Sequence, residues 1–199
     1  DSDKDFSKII GKNFYKARSG TEFTPAELYF LKSVESSKNQ STYFFKNIPL
    51  RTAKHKVVPQ EKIKLETMYI RPVVKGPNIK KFVWDNEEEY AIFPYEWGIK
   101  DTVDFTTLNN TCEKTAKYLL ENKDLISRQS SKSLELHKGN EFYALSKIGD
   151  YTFTNVLVAR RDNTELCAAV ITPIDTPWGE TKMPVCAKHA AFISMTKDD

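Results

Sequence analysis

A chain of 199 residues with 40% hydrophobic and 29% charged residues is long enough to bury a core and too apolar to be intrinsically disordered. Its three cysteines are too few and too far apart for a disulfide framework, and they favour a reducing cytoplasm. No apolar run reaches the length of a membrane span, and the first residues lack the apolar core of a signal peptide. We therefore expect a globular cytoplasmic protein that makes no contact with a membrane.

The net charge of +3 conceals two segments of opposite charge. Residues 51–82, the basic block, contain nine lysines and arginines against two glutamates, a net charge of +7. Residues 85–104, the acidic block, contain seven acids against one lysine, a net charge of −6. If the two blocks fold to different faces, one face of the protein is basic and suits a polyanionic partner.

Short strands dominate the first half of the chain. Residues 24–27, Thr-Pro-Ala-Glu, have the form of a helix start, and we expect a short turn there. A strand over residues 28–34 then pairs with residues 42–45 across a polar loop. Residues 90–95 form a further compact apolar strand that a proline ends.

Residues 111–127 are predicted to form the clearest helix, because apolar residues recur there at near-helical spacing after a capping-box pattern at residues 110–113. From residue 141 the pattern again indicates strands, beginning with residues 142–145. Two later strands flank the charged connection 160–164, and residues 190–195 supply the last strand. The expected class is α+β, with mostly antiparallel strands, one clear amphipathic helix and a few short helices.

Residues 68–82, Met-Tyr-Ile-Arg-Pro-Val-Val-Lys-Gly-Pro-Asn-Ile-Lys-Lys-Phe, form a cationic stretch that contains no acid. Pro72 and the Gly76-Pro77 pair fix or break the backbone on either side of Lys75. Apolar anchors and a bent backbone can hold cations in the defined arrangement that phosphate tracking or base reading requires. An ordinary amphipathic surface segment, whose lysines only solvate it, has the same charge pattern.

No motif of an enzyme stands out. The seven glycines form neither a dinucleotide-binding fingerprint nor a phosphate-binding loop, and no serine or cysteine has the surroundings of a nucleophile. Asp175 with Glu180-Thr-Lys182 imitates a metal-dependent nuclease signature, but the interval is too short for two neighbouring strands to converge on a metal. Asp175-Thr-Pro-Trp178 imitates the loop with which amino-group methyltransferases grip a flipped base. A turn after a strand explains both patterns, so we expect no catalytic residue and no metal site.

Several blocks of sequence occur together in a recognisable order: residues 69–81, 90–95, 117–128, 143–153, 156–162 and 183–185 with His189. In this order they resemble the C-terminal specificity domain of TaqI-like adenine-N6 DNA methyltransferases and fused restriction–modification enzymes. The resemblance covers roughly residues 65–195, and residues 17–20 resemble the opening turn of the same domain.

The resemblance implies a target-recognition domain that grips double-stranded DNA and reads base edges, while a methyltransferase catalytic domain in the same chain receives the flipped adenine. S-adenosylmethionine belongs to that catalytic domain, so we expect no cofactor in residues 1–199. The sequence begins without methionine, and we expect a single domain excised from a longer prokaryotic protein. A division into lobes 1–105 and 106–199 stays open.

We expect seven cations to contact DNA: Arg18, Arg71, Lys75, Lys80, Lys81, Arg160 and Arg161. The four in the cationic stretch are expected to clamp phosphates, each adding about one unit to the salt dependence of binding. The other three are expected to contact guanine, each worth on the order of 1–3 kcal/mol of discrimination. The alternative function is a protein–protein interaction domain that uses the acidic block and binds no DNA.

Overall fold

The structure is a computed structural model that describes residues 16–34, 41–48, 57–127, 139–154, 156–160 and 167–194. The strands are β1 (Ala17–Ser19), β2 (Phe30–Ser33), β3 (Thr42–Asn47), β4 (Ile63–Glu66), β5 (Ile70–Val74), β6 (Ile79–Lys80), β7 (Val83–Trp84), β8 (Glu89–Ile92), β9 (Val156–Arg160), β10 (Ala168–Ile171), β11 (Ile174–Asp175), β12 (Thr181–Lys182), β13 (Val185–Cys186) and β14 (Ala190–Ser194). The helices are α1 (Ala26–Tyr29), α2 (Phe105–Thr111), α3 (Glu113–Glu121) and α4 (Lys123–Ser127), with 3-10 turns at Gly76–Asn78 and Asp150–Phe153. The expected α+β class is confirmed. No helix within these ranges is long and apolar enough to cross a membrane.

Two sheets with separate cores organise these elements. The larger has the strand order β13-β5-β8-β2-β3-β4, in which β13 and β5 are parallel and the other neighbours antiparallel. The smaller is the antiparallel sheet β1-β14-β9-β10. Burial alternates along β3, which places Tyr43 and Phe45 in the larger core. Val158 and Phe192 belong to the smaller core.

The predicted strand pairs that are close in sequence are confirmed. After the turn α1, β2 pairs with β3 and sets Ser33 opposite Phe45. Likewise β9 pairs with β10, setting Val158 opposite Ala169, and β14 is the expected last strand. The connection at residues 161–166 lies outside the described ranges. Such pairs are predictable because closing a short loop costs little entropy.

The predicted helix over residues 111–127 is interrupted twice and becomes part of α2, α3 and α4. The first interruption is at Cys112, whose φ of −141° and ψ of 62° are not helical. The capping box expected at residues 110–113 was wrong, because the N-cap of α3 is Cys112, which makes no side-chain capping hydrogen bond. Asp104 caps α2 by accepting hydrogen bonds from the Thr107 N–H at 2.9 Å and hydroxyl at 2.6 Å. Glu66 of β4 instead accepts from the first turn of α3, from the Lys114 N–H at 3.1 Å and the Thr115 N–H at 2.9 Å.

Glu66→Gln is expected to lower the free energy of unfolding by about 1–2 kcal/mol at pH 7, because it weakens charge-assisted hydrogen bonds. Burial opposes ionisation of this carboxyl, but the hydrogen bonds from Thr115 and Lys114 outweigh it, so the pKa of Glu66 lies below its usual 4.5. The carboxylate therefore contributes stability above about pH 4.5, and the contribution is lost as the pH falls through the lower folded-state pKa.

Urea unfolding between pH 7 and pH 2.5 checks this expectation. The difference between wild type and Glu66→Gln should shrink at the acid end, and a difference that is constant with pH would contradict it. Glu121→Gln is the control: its exposed pair with Lys117, at 3.9 Å, is expected to contribute less than about 0.5 kcal/mol.

Residues 142–145 do not form the strand that their sequence predicts. Tyrosine hydroxyls occupy their backbone groups instead: the Leu145 N–H donates to Tyr95 Oη at 2.6 Å, and Tyr29 Oη donates to the Tyr143 carbonyl at 3.3 Å. Tyr143 and Leu145 are buried in the larger core. Side chains therefore satisfy hydrogen-bonding groups of this backbone segment, in place of the neighbouring strand that was expected.

Candidate nucleic-acid interface

The cationic stretch passes through β5, a 3-10 turn and β6, so its four cations lie in different surroundings. The turn Gly76–Asn78 falls at the break that the Gly-Pro pair predicts. Arg71 lies before it in β5, and Lys75 immediately precedes it. Lys80 and Lys81 follow it and are exposed.

Arg71 lies in a cleft of about 500 Å³ that Trp97, Glu180 and Lys182 also line. The guanidinium carbon is 4.5 Å from the centre of the Trp97 ring, and Nη1 donates to the Met183 carbonyl at 3.4 Å. Its Nε is buried and finds no hydrogen-bond partner among the described residues. Burial lowers the pKa of Arg71 to about 10, opposed by the charge of Glu180, so the side chain stays cationic at neutral pH. A phosphate would have to enter the cleft to reach it.

Lys182 lies beside this cleft, and the backbone holds its ammonium group. Its Nζ donates to the carbonyls of Thr67 and Met68, the latter at 3.1 Å, and lies 2.9 Å from Glu180 Oε2. Burial lowers the pKa of Lys182, while the hydrogen bond and charge of Glu180 oppose the shift. The ammonium joins the hairpin β11–β12 to the segment before β5, which is a structural role.

The two enzyme-like patterns near the C-terminus form a hairpin turn. Asp175 Oδ1 accepts from the Thr181 hydroxyl at 2.6 Å, and Glu180 Oε2 accepts from Trp178 Nε1 at 2.8 Å. Trp178 is buried in the larger core, where it is unavailable to grip a base. Within the described part of the chain, no three His, Cys, Asp or Glu residues come together as a metal site.

Lys75 is engaged with the acidic block. Its Nζ is 2.7 Å from Glu89 Oε2 and 5.3 Å from the centre of the Phe30 ring, and 19% of its side chain is exposed. Asn78 Nδ2 donates to the same carboxylate oxygen at 3.1 Å. Because β5 of the basic block and β8 of the acidic block are neighbours in one sheet, the described parts of the two blocks do not form two separate faces.

The turn between β6 and β7, residues 80–83, forms a hairpin tip with exposed cations. Lys80 lies opposite Val83, so Lys81 and Phe82 form a two-residue turn. Lys80 pairs with Asp85 at 3.1 Å in an exposed contact, and Lys81 Nζ lies 5.7 Å from the centre of the Phe82 ring. Both ammonium groups are accessible to a large anion.

The hairpin tip lies against the smaller sheet. The Phe82 N–H donates to the Ala168 carbonyl in β10 at 3.0 Å, and Ala168 lies opposite Ala159 in β9. Arg160 is the next and last residue of β9. Because neighbouring strands are about 4.8 Å apart, the backbones of the tip and of Arg160 are on the order of 10 Å apart. Backbone segments from two distant parts of the chain therefore come close together.

Arg18 lies on the same sheet, in β1. It pairs with Phe192 of β14, which pairs with Val158, two residues before Arg160. The guanidinium is exposed and lies 5.1 Å from the centre of the Tyr151 ring. Arg18 is therefore on the edge strand opposite β10, with two strands between them.

Four of the seven predicted DNA-contacting residues thus belong to the smaller sheet and the hairpin against it. We refer to these four as the sheet cations: Arg18, Lys80, Lys81 and Arg160. Arg71 and Lys75 lie elsewhere, and Arg161 lies outside the described residues.

Sequence reasoning missed the cleft residues Trp97 and Lys182 as neighbours of Arg71, since no spacing signal joins them.

The arrangement of these residues carries the functional argument. No protein-family model matches the chain, and no curated protein sequence matches it.

Proposed function

We propose that this domain binds double-stranded DNA and supplies sequence recognition to an adenine-N6 DNA methyltransferase or restriction–modification enzyme. The observation that carries the proposal is the approach of the hairpin tip to the end of β9, which brings the backbones of Lys80 and Lys81 close to that of Arg160. Arg18 adds an exposed cation on the same sheet. Such a group can contact the backbone of one duplex through its lysines and base edges through its arginines.

The two lysines suit phosphate contacts because they can exchange their present partners. The Lys80–Asp85 pair is exposed, with 59% and 47% of the two side chains accessible, and such pairs contribute little to stability. Lys75, in contrast, is paired with Glu89, and Arg71 lies in its cleft. We therefore expect the hairpin tip to contribute about two units to the slope of the logarithm of affinity against the logarithm of salt concentration. The whole cationic stretch was expected to contribute about four.

The domain supplies recognition, and chemistry belongs to the rest of the parent protein. A catalytic domain in the same chain would bind S-adenosylmethionine and receive the adenine that leaves the duplex.

The alternative function, protein binding through the acidic block, has fewer free carboxylates than the sequence suggests. Asp85 and Glu89 pair with lysines, and Asp104 caps α2.

A salt series tests the proposal. A fluorescent 30-bp duplex of mixed sequence is titrated with wild type and with Lys80→Ala/Lys81→Ala between 50 and 300 mM NaCl. We expect wild-type affinity to fall steeply with salt, and the double variant to bind about tenfold more weakly at low salt with a slope smaller by about two. The loss follows from two fewer phosphate contacts.

Lys117→Ala/Lys123→Ala is the matched control and removes the same charge. Lys117 has one exposed carboxylate partner, Glu121, and Lys123 Nζ lies 5.2 Å from the centre of the Phe142 ring. These surroundings match those of Lys80 and Lys81, so the control should bind nearly as wild type does. Equal losses of affinity in both double variants would mean that only the net charge of the protein matters, and not the position of the lysines. No binding at 50 mM would sink the proposal and favour the acidic-block alternative.

A further inference from the structure

The hairpin tip carries an exposed apolar patch between its cations and the smaller sheet. Phe82 is 79% exposed, Val83 52% and Val170 of the adjacent strand β10 55%. An aromatic side chain that is mostly in water gains little from burial. The patch therefore contributes little to the core and is available to a partner.

Phe82 also has a backbone conformation that its residue type disfavours. Its φ is +66°, in the left-handed region where glycine or asparagine is usual and a bulky residue is an outlier. The surroundings hold it there: its N–H is bonded to Ala168, and Ile79 at the base of the hairpin is buried. A strained backbone beneath an exposed ring is typical of functional positions.

We infer that Phe82 is an apolar wedge that inserts partly between two base pairs of a bound duplex. This inference rests on the proposed function and adds the way in which the DNA is deformed. The ring follows two exposed lysines, so a polyanion that they attract meets the aromatic side chain at the same place. Apolar residues flanked by cations unstack base steps in this manner, and the extra contacts of the kinked duplex offset the unstacking.

The wedge predicts a preference for deformable DNA. Pyrimidine–purine steps such as TA unstack more easily than A-tracts. Because the ring itself reads no hydrogen-bond pattern, this preference depends on the mechanics of the duplex. It should be detectable before any target sequence is known.

The experiment compares two 30-bp duplexes, one with a central TA step and one with a central A-tract, each carrying a donor and an acceptor dye at its ends. Wild type should bind the TA duplex several-fold more tightly and bring its ends closer together. Phe82→Gly should bind it about tenfold more weakly, without bending it, because one stacking contact is lost. Phe82→Leu, which retains an apolar wedge, should keep most of both effects.

Two further readouts separate a wedge from damage to the fold or to the phosphate contacts. Phe82→Gly relieves the positive φ, so its melting temperature should equal or exceed that of wild type. Its salt slope should be unchanged, whereas Lys80→Ala/Lys81→Ala lowers the slope. Salt-dependent binding with no bend, or with no effect of Phe82→Gly, would overturn the wedge and leave the proposed function standing. Absence of all duplex binding would overturn both.

Discussion

Trp178→Ala is expected to lower the free energy of unfolding by about 3–5 kcal/mol, because it removes a large buried ring and leaves a cavity. Trp178 is 1% exposed and lies among other aromatic side chains. The ring centres of Tyr43, Phe45 and Tyr90 are 5.5, 5.7 and 4.9 Å from that of Trp178. These rings come from β3 and β8, so the substitution weakens the contact of the β11–β12 turn with the larger sheet.

Urea unfolding at pH 7 measures the loss. Trp178→Phe retains part of the ring and should lie between wild type and Trp178→Ala, which keeps the comparison measurable if the alanine variant does not fold. Trp97→Ala is the control, because that ring is 36% exposed and its removal opens a smaller cavity. An unchanged urea midpoint for Trp178→Ala would contradict the burial of the ring and return the turn to consideration as a base-gripping loop.

Local pairings were predictable from the sequence, and distant ones were not. The alternating apolar residues of β3 and the short runs of β9 and β10 indicate strands whose partners are the nearest runs along the chain. The parallel pairing of β13 with β5 joins residues that are far apart, and no turn signal specifies it. The strand expected at residues 142–145 failed because Tyr95 and Tyr29, from distant segments, occupy its backbone groups.

The same distinction applies to the helices. Apolar spacing correctly located the helical residues of α3 and α4, which bury Ala116, Leu119 and Ile126, but it did not predict α2, which begins at Phe105. The spacing could not show that the helix breaks at Cys112, nor that Glu66 accepts hydrogen bonds from N–H groups in the first turn of α3. A cap from another element leaves no trace in the local sequence.

For the candidate site, the sequence predicted which residues carry charge but not which charges are neutralised. Lys75 and Lys80 are equivalent in the cationic stretch, yet Lys75 is largely covered beside Glu89 while Lys80 is accessible. The difference arises because β5 and β8 are neighbours, whereas the hairpin β6–β7 lies against the smaller sheet. The approach of the hairpin to β9 likewise depends on contacts between distant residues, such as the bond from the Phe82 N–H to Ala168.

Gly20→Ala is expected to destabilise the protein by about 3 kcal/mol, at the upper end for overpacking, because the atoms in its way are backbone and cannot rotate aside. A Cβ at Gly20 would overlap the carbonyl oxygens of Cys186 and Ala187. The next residue, Thr21, donates its N–H to Cys186 at 2.7 Å, so the close approach fixes the chain at the end of β1. Relief requires the end of β1 to move away from the backbone of Cys186 and Ala187.

The Gly20 substitution also links the fold to the proposed interface, since β1 carries Arg18. Gly20→Ala should lower both the urea midpoint and the affinity for the mixed-sequence duplex. Ser19→Ala is the control: it loses one exposed hydrogen bond to the Lys188 carbonyl, at 2.9 Å, and is expected to cost less than about 1 kcal/mol. Wild-type stability of Gly20→Ala would mean that β1 does not dock as described, and Arg18 would then have no fixed position relative to Arg160. A lower midpoint with unchanged affinity would remove Arg18 from the interface and leave the hairpin tip and β9 to bind the duplex.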